Sequence, residues 1–193
     1  LLQGLMKLRQ IANHPYMTDP AYEGESGKLK EVMRMIKNIV AKGHKVLVFS
    51  QFVKHLEIVR QVLDEKGITY AYLDGNTKNR HQQVELFQSD PSIQVFLISM
   101  KAGGVGLNLT AADYVFILDP GWNPAVEAQA VDRAHRIGQQ NKVFTYKFIT
   151  KDTVEEKILA LQNRKIQLVT DLISTDENII KSLTKDDIEN LLS

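Results

Sequence analysis

The sequence predicts an α/β fold, a mostly parallel sheet with helices on both faces and further helices flanking it at each end. Five short apolar runs carry this: VLVFS at 46–50, TYAYL at 69–73, QVFLIS at 94–99, YVFIL at 114–118 and VFTYKFI at 143–149. Helical patterns separate several of them, notably Val53 to Lys66 and Asn79 to Gln88. The runs are continuously apolar rather than alternating, as expected of strands covered on both sides.

Composition bounds the rest. With 193 residues, 44% of them hydrophobic, the chain can bury a full core. Its 24 basic and 23 acidic residues leave a net charge of +1, so nucleic-acid binding would need a local patch. The absence of cysteine removes disulfides, thiolate metal sites and a cysteine nucleophile, and fits an intracellular protein. No signal peptide or spanning run of apolar residues is present, so a soluble chain is expected. The opening LLQGLMKLRQI reads as the middle of a helix, and a piece of a longer protein is expected.

In chain order, Leu2, Leu5, Leu8 and Ala12 recur at helical spacing until Asn13, His14 and Pro15 stop the run. A loop follows. Ser26 is placed to cap a helix whose stripe is Leu29, Val32, Met33, Ile36, Ile39 and Val40, ended by Gly43. SGKLK imitates a phosphate loop but lacks the glycine spacing and the Ser/Thr after lysine, so it reads as the capped helix. After the strands, Val154, Ile158, Leu161, Ile166, Leu168, Val169 and Leu172 suggest one long helix, broken at Ser174 to Asn178. A last helix runs from about Thr184, with Asp186 or Asp187 in its first turn, to Leu192. These patterns divide the chain into a helical segment at 1–27, an α/β lobe at 28–150 and C-terminal helices at 151–193.

Ligands of open α/β sheets gather beyond the carboxyl ends of the strands. Four loops should share that rim: Ser50-Gln51-Phe52, Asp74 to Thr77, Met100 to Gly104, and Asp119 to Pro124. Ser50 and Gln51 offer a hydroxyl and an amide to a phosphate backbone, or a simple helix cap. Asp74 and Gly75 make a turn that presents Asn76, Thr77, Lys78 and Arg80. Gly104 and Gly106 have dinucleotide-like spacing, but Leu109 stands where a third glycine is needed. Trp122, the lone tryptophan, is either a buried loop anchor or a ligand contact. The five histidines show no paired ligand spacing, so no metal is expected; His135 reads as packing or bonding to orient its helix.

The densest stretch is Gly103 to Gln139. If Pro124 opens a helix, Gln129, Arg133 and Arg136 fall on one face and Val126, Ala130, Ala134 and Ile137 on another. Two arginines at fixed spacing suit a polyanion. They equally suit a solvated face paired with Glu127 and Asp132.

DPGWNPAVEAQAVDRAHRIGQ, with VLVFSQF, KAGGVGLNL, LRQIANHP, ALQNRK and LTKDDIENLLS, resembles the Swi/Snf family of DNA-dependent ATPases within helicase superfamily two. The resemblance covers almost the whole chain and implies the second, C-terminal RecA-like lobe, of P-loop NTPase type, of a bacterial-type member. It implies that Arg133 and Arg136 are arginine fingers toward ATP, which together with Mg²⁺ is held mainly by a preceding N-terminal RecA-like lobe. By the same resemblance Gly103, Gly104, Gly106 and Gln129 line the nucleotide side, while Ser50, Gln51, Lys101 and Trp122 approach DNA, a side to which the turn at 74–77 adds Asn76 and Arg80. Gly121 departs from the family, which often has a second tryptophan or an acid there.

No G-x-x-x-x-G-K-[ST] loop is present, and Asp64-Glu65 closes a helix instead of following a buried strand. This chain alone is therefore expected to hydrolyse nothing. The implied partners are the N-terminal lobe, double-stranded DNA and DNA-bound proteins, in a bacterial cytoplasm. A lobe of an RNA-unwinding helicase, whose last motif would read HRxGRxxR, and a non-enzymatic nucleotide- or protein-binding module are the alternatives.

Overall fold

The structure, a computed structural model, describes residues 2–14, 17, 26–103, 107–135, 139–168 and 184–192. Five strands form one sheet: β1 (Val46–Ser50), β2 (Tyr70–Leu73), β3 (Val95–Ser99), β4 (Tyr114–Ile117) and β5 (Phe144–Lys147). Their order is β2-β3-β1-β4-β5 and every pairing is parallel. β1 is central, with Val46 in register with Val95 on one side and Tyr114 on the other. All carboxyl ends therefore lie on one edge.

The two-residue period of a strand divides the core. Val46 and Val48 face α2 (Gly27–Ala41) and α3 (Val53–Glu65), joining Ile36, Leu56 and Val59. Leu47 and Phe49 face the other way, toward Phe87 of α4 (Arg80–Ser89) and Ala130 of α5 (Pro124–Asp132). Between β3 and β4, Met100, Ala102, Leu109 and Ala112 fill that second layer. Local chemistry sets the helix ends. Ser26 accepts from the Leu29 amide at 2.9 Å, and Gly43, at φ 77°, turns the chain after α2.

α1 (Leu2–Asn13), α6 (Val154–Leu168) and a last helix, α7 (Lys185–Leu192), flank the sheet. A third apolar cluster, Leu5 with Trp122, Val154, Ile158 and Leu161, packs α1 and α6 on the loop after β4. Thr184 and Asp187 cap α7 reciprocally, amide to side chain at 3.1 and 3.2 Å.

Three expectations need correction. α1 buries Leu5, Arg9, Ala12 and Asn13, while Leu2 and Leu8 are exposed, because a buried arginine sets the docked face. Ile166, counted with Val154, Ile158 and Leu161 among the apolar positions of the C-terminal helix, is 50% exposed where those three are buried. β5 is exposed along its length, whereas the other edge strand, β2, buries Ala71 and Leu73; Phe144 of β5 stacks on Tyr114 at 5.4 Å between ring centroids. The expected helix residues Val169 and Leu172, and the break at 174–178, lie outside the described residues.

Phe96, fully buried and tilted against Phe87 at 5.3 Å, should cost about 3–5 kcal/mol of unfolding free energy when replaced by alanine. Ile166→Ala should stay within about 0.5 kcal/mol. Urea titration of both variants measures the contrast.

Candidate functional site at the carboxyl edge of the sheet

Asp119 organises the rim. It follows β4 and is 1% exposed, yet it is fully engaged by the end of β1 and by α3. The Ser50 hydroxyl donates to its Oδ2, the Gln51 amide donates to its Oδ1 at 2.7 Å, and His55 Nδ1 lies 3.3 Å from Oδ2. Burial pushes this carboxyl up, but the bonds from His55 and Ser50 and the positive charge of Lys28 prevail and hold it below the usual carboxylate range.

Behind Asp119, Lys28 is buried among oxygens. Its Nζ donates to Asn13 Oδ1 at 2.7 Å, to the Leu118 carbonyl at 2.7 Å and to Glu155 Oε1, which also accepts from the Thr150 amide at 3.0 Å. Burial lowers the affinity of Lys28 for its proton, against the opposing pull of Glu155. Arg9 donates to the Pro120 carbonyl at 3.0 Å and lies over the rings of Phe52 and Trp122, at 5.1 and 5.5 Å. Helices from opposite ends of the chain thus clasp the loop of residues 119–123. Neighbouring His14 is buried too, and desolvation together with His55 lowers its proton affinity.

That loop leads into α5. Asn123 caps it, accepting from the Ala125 amide at 3.0 Å, and Pro124 sits in its first turn. The expected Gln129-Arg133-Arg136 face is not one continuous helix among the described residues. α5 stops at Asp132, and Arg133 forms its C-cap. Tertiary bonds end it: the Arg133 carbonyl accepts from the Leu109 amide at 3.0 Å, and Gln139 Nε2 donates to the Ala134 carbonyl at 3.1 Å. Arg133 is 5% exposed, held within the lobe, whereas Gln129 faces solvent. Arg136, like Gly104, Gly106 and Ile137, lies outside the described residues.

Other rim residues divide by exposure. Asn76 and Lys101 are exposed, Gln51 is half-buried, and Arg80, though exposed, also donates to the Ala102 carbonyl. Two residues expected to approach DNA are placed otherwise. Ser50 is wholly buried with its hydroxyl on Asp119, and Trp122 is 3% exposed in the apolar cluster of α1 and α6. Gly103 is buried; a Cβ there would come within 3.3 Å of Ile98 Cγ2 and Phe49 Cε1, so glycine lets this turn close over the core. Gln51 Nε2 and Asn123 Nδ2 are buried without a hydrogen-bond partner among the described residues. His135 is exposed.

The sequence reading missed Glu127. Offered there as a surface partner for arginine, it is buried, pairs with Lys147 at 2.7 Å and accepts from Gly121 and Gln162. Helical spacing could not reveal partners on β5 and α6. Among the described residues no group of three or more His, Cys, Asp or Glu could hold a metal ion, and no helix is long and apolar enough to cross a membrane.

An all-parallel five-stranded sheet covered by helices is the architecture of a RecA-like lobe. The model of the helicase conserved C-terminal domain matches residues 27–138. An uncharacterized ATP-dependent helicase of Schizosaccharomyces pombe is 47% identical over 156 residues, 79% of this chain and 15% of the relative. Another from Mycoplasma pneumoniae is 37% identical over 193 residues, 99% of this chain and 19% of the relative. The Sulfolobus solfataricus SWI2/SNF2 ATPase C-terminal domain superposes with TM-score 0.77 at 32% identity, covering 98% of this chain and 79% of that one. The chain belongs to the helicase conserved C-terminal domain family, as the C-terminal RecA-like lobe of a Swi/Snf-type ATPase. It spans less than a fifth of the length of these two curated relatives.

Two outcomes follow from the buried charges. Lys28→Ala leaves Glu155 buried without its cation and should cost about 3–5 kcal/mol in urea unfolding, while Lys28→Met with Glu155→Leu should cost less. Stability should also fall on acidification in two stages. His14 has a folded-state pKa below its ordinary 6.5, so its contribution is complete above that pH and is lost as pH falls through the depressed value. Asp119 does the same below 3.8. Urea midpoints against pH should show both stages in the parent and a weakened first stage in His14→Gln.

Proposed function

We propose that the intact protein is an ATP-dependent translocase or remodeller of double-stranded DNA, and that this chain is its second motor lobe. The observation that carries the reading is the convergence on one sheet edge of Gln51, Asn76 and Lys101 with the helix that ends at Arg133. Each comes from a different loop, so one rim can meet a nucleic-acid backbone and a neighbouring lobe together.

The residues present fit half of a nucleotide site. The turn at Gly103 is closed over Ile98 and Phe49, and the sequence holds no phosphate loop. Triphosphate and Mg²⁺ would therefore be held mainly by the preceding lobe, and this chain alone would hydrolyse nothing. ATP, when bound there, supplies the phosphoryl group that is transferred to water. Arg133, with Arg136, would meet the charge developing on that group, an effect worth about three to five decades of rate in related chemistry. Because Arg133 lies within the lobe, closure of the two lobes must draw its guanidinium toward the cleft.

On the DNA side, Lys101 and Arg80 supply charge, and the half-buried Gln51 with Asn76 supplies hydrogen bonds to phosphate oxygens. Ser50 acts through Asp119 and Trp122 through the clasped loop, shaping the rim from behind. In a bacterial cell the substrate would be nucleoid DNA in the cytoplasm and the proteins bound to it.

Steady-state ATP hydrolysis by the full-length protein, without nucleic acid, with duplex DNA and with RNA, tests this. Duplex DNA should stimulate turnover, and Arg133→Ala and Arg136→Ala should each lower kcat by about three decades while ATP still binds. Stimulation by RNA alone would point to an RNA helicase, and absence of hydrolysis to a binding module. Lys101→Ala should weaken DNA binding evenly across sequences and reduce the salt slope by about one.

A further inference from the structure

Glu127 lies in the first turn of α5, and both of its carboxylate oxygens are committed. Oε1 accepts from the Gly121 amide at 3.1 Å and from Gln162 Nε2 at 3.1 Å; Oε2 pairs with Lys147 Nζ at 2.7 Å. Those partners belong to the loop after β4, to α6 and to β5. Gln162 in turn donates to the Gly121 carbonyl, and its Oε1 lies 3.4 Å from Lys147 Nζ. Gly121, Glu127, Lys147 and Gln162 therefore close into one polar ring, buried at Glu127 and Gln162 and open to water at Lys147, about the start of the helix that ends at Arg133.

The far end of α5 is held separately. Leu109 and Gln139 take the carbonyls of Arg133 and Ala134. A nine-residue helix fixed at both ends behaves as a rigid strut, so displacing its start displaces the arginine at its end. Between these ends Ala130 sits in the core with Val126 and Val131 packed against it, while Ala128 and Gln129 face solvent, so the helix rests on small apolar contacts and is tied by polar ones at its ends.

We infer that Glu127 is a positioning residue for ATP hydrolysis, setting the placement of Arg133 by tying α5 to the C-terminal helix α6 and to β5. α6 is then part of the catalytic geometry, although it lies beyond the matched family domain at residues 27–138. The inference rests on the arginine-finger reading of Arg133.

The test uses the full-length protein with saturating duplex DNA. Glu127→Gln keeps an acceptor for Gly121 but removes the charge facing Lys147. Its kcat should fall roughly ten- to a hundredfold with KM for ATP unchanged, as displaced catalytic groups do. Lys147→Gln, altering a partly exposed head that can otherwise reach water, is the second variant should Glu127→Gln not fold. The deciding readout is a double-mutant cycle. In an Arg133→Ala background, Glu127→Gln or Lys147→Gln should cause no further loss, because the group being positioned is gone. Unchanged kcat in the single variants, or losses that add to that of Arg133→Ala, would overturn the inference. Full activity of Arg133→Ala alone would instead overturn the arginine-finger reading beneath it.

Discussion

The buried carboxylate of Asp119 is the constraint on which the functional edge depends. A charge removed from water carries a penalty of several kcal/mol unless hydrogen bonds and opposite charge replace its solvation. Here the replacement comes from the end of β1, a hydroxyl and a backbone amide, and from the imidazole of His55 on α3, with Lys28 behind them. Satisfying Asp119 thereby fixes how the chain leaves two neighbouring strands at once. The loop toward α3 and the loop toward α5 cannot move independently.

The same logic explains why the terminal helices dock where they do. An apolar stripe along α1 would have turned Leu2 and Leu8 inward, but the buried face instead carries Arg9 and Asn13. Arg9 answers a free carbonyl at Pro120 and two aromatic faces; Asn13 answers Lys28. Hydrophobic burial of Leu5 and Ile158 supplies much of the driving force, while the polar groups choose the orientation.

The sheet was legible because strand burial writes itself into sequence as short continuous apolar runs, and β1 through β4 agree with those runs to within a residue or two. β5 shared the pattern but not the burial, and nothing in its composition sets it apart from the other edge strand, β2, which buries Ala71 and Leu73. The rim loops were legible from one rule about parallel sheets. Individual roles on the rim were less so. Ser50 and Trp122 have ligand-binding chemistry, yet their partners, Asp119 and the α1–α6 cluster, stand far away in sequence. Pro124 announced the start of α5 correctly; its end depended on Leu109 and Gln139, two tertiary partners that no local period encodes.

The clasp around residues 119–123 also orders events in time. Lys28 meets Glu155 across 127 residues, and Gln162 reaches back 41 residues to Gly121. Synthesis proceeds from the amino end, and long-range contacts form slowly. β1 to β4 can pair while the ribosome is still extending the chain, but Trp122 and Leu5 cannot be covered until α6 has emerged. For that interval the nascent lobe presents an aromatic and aliphatic patch beside a lysine whose Glu155 partner has not yet been made, a stretch of exposure to chaperones and to aggregation that ends only when α6 docks.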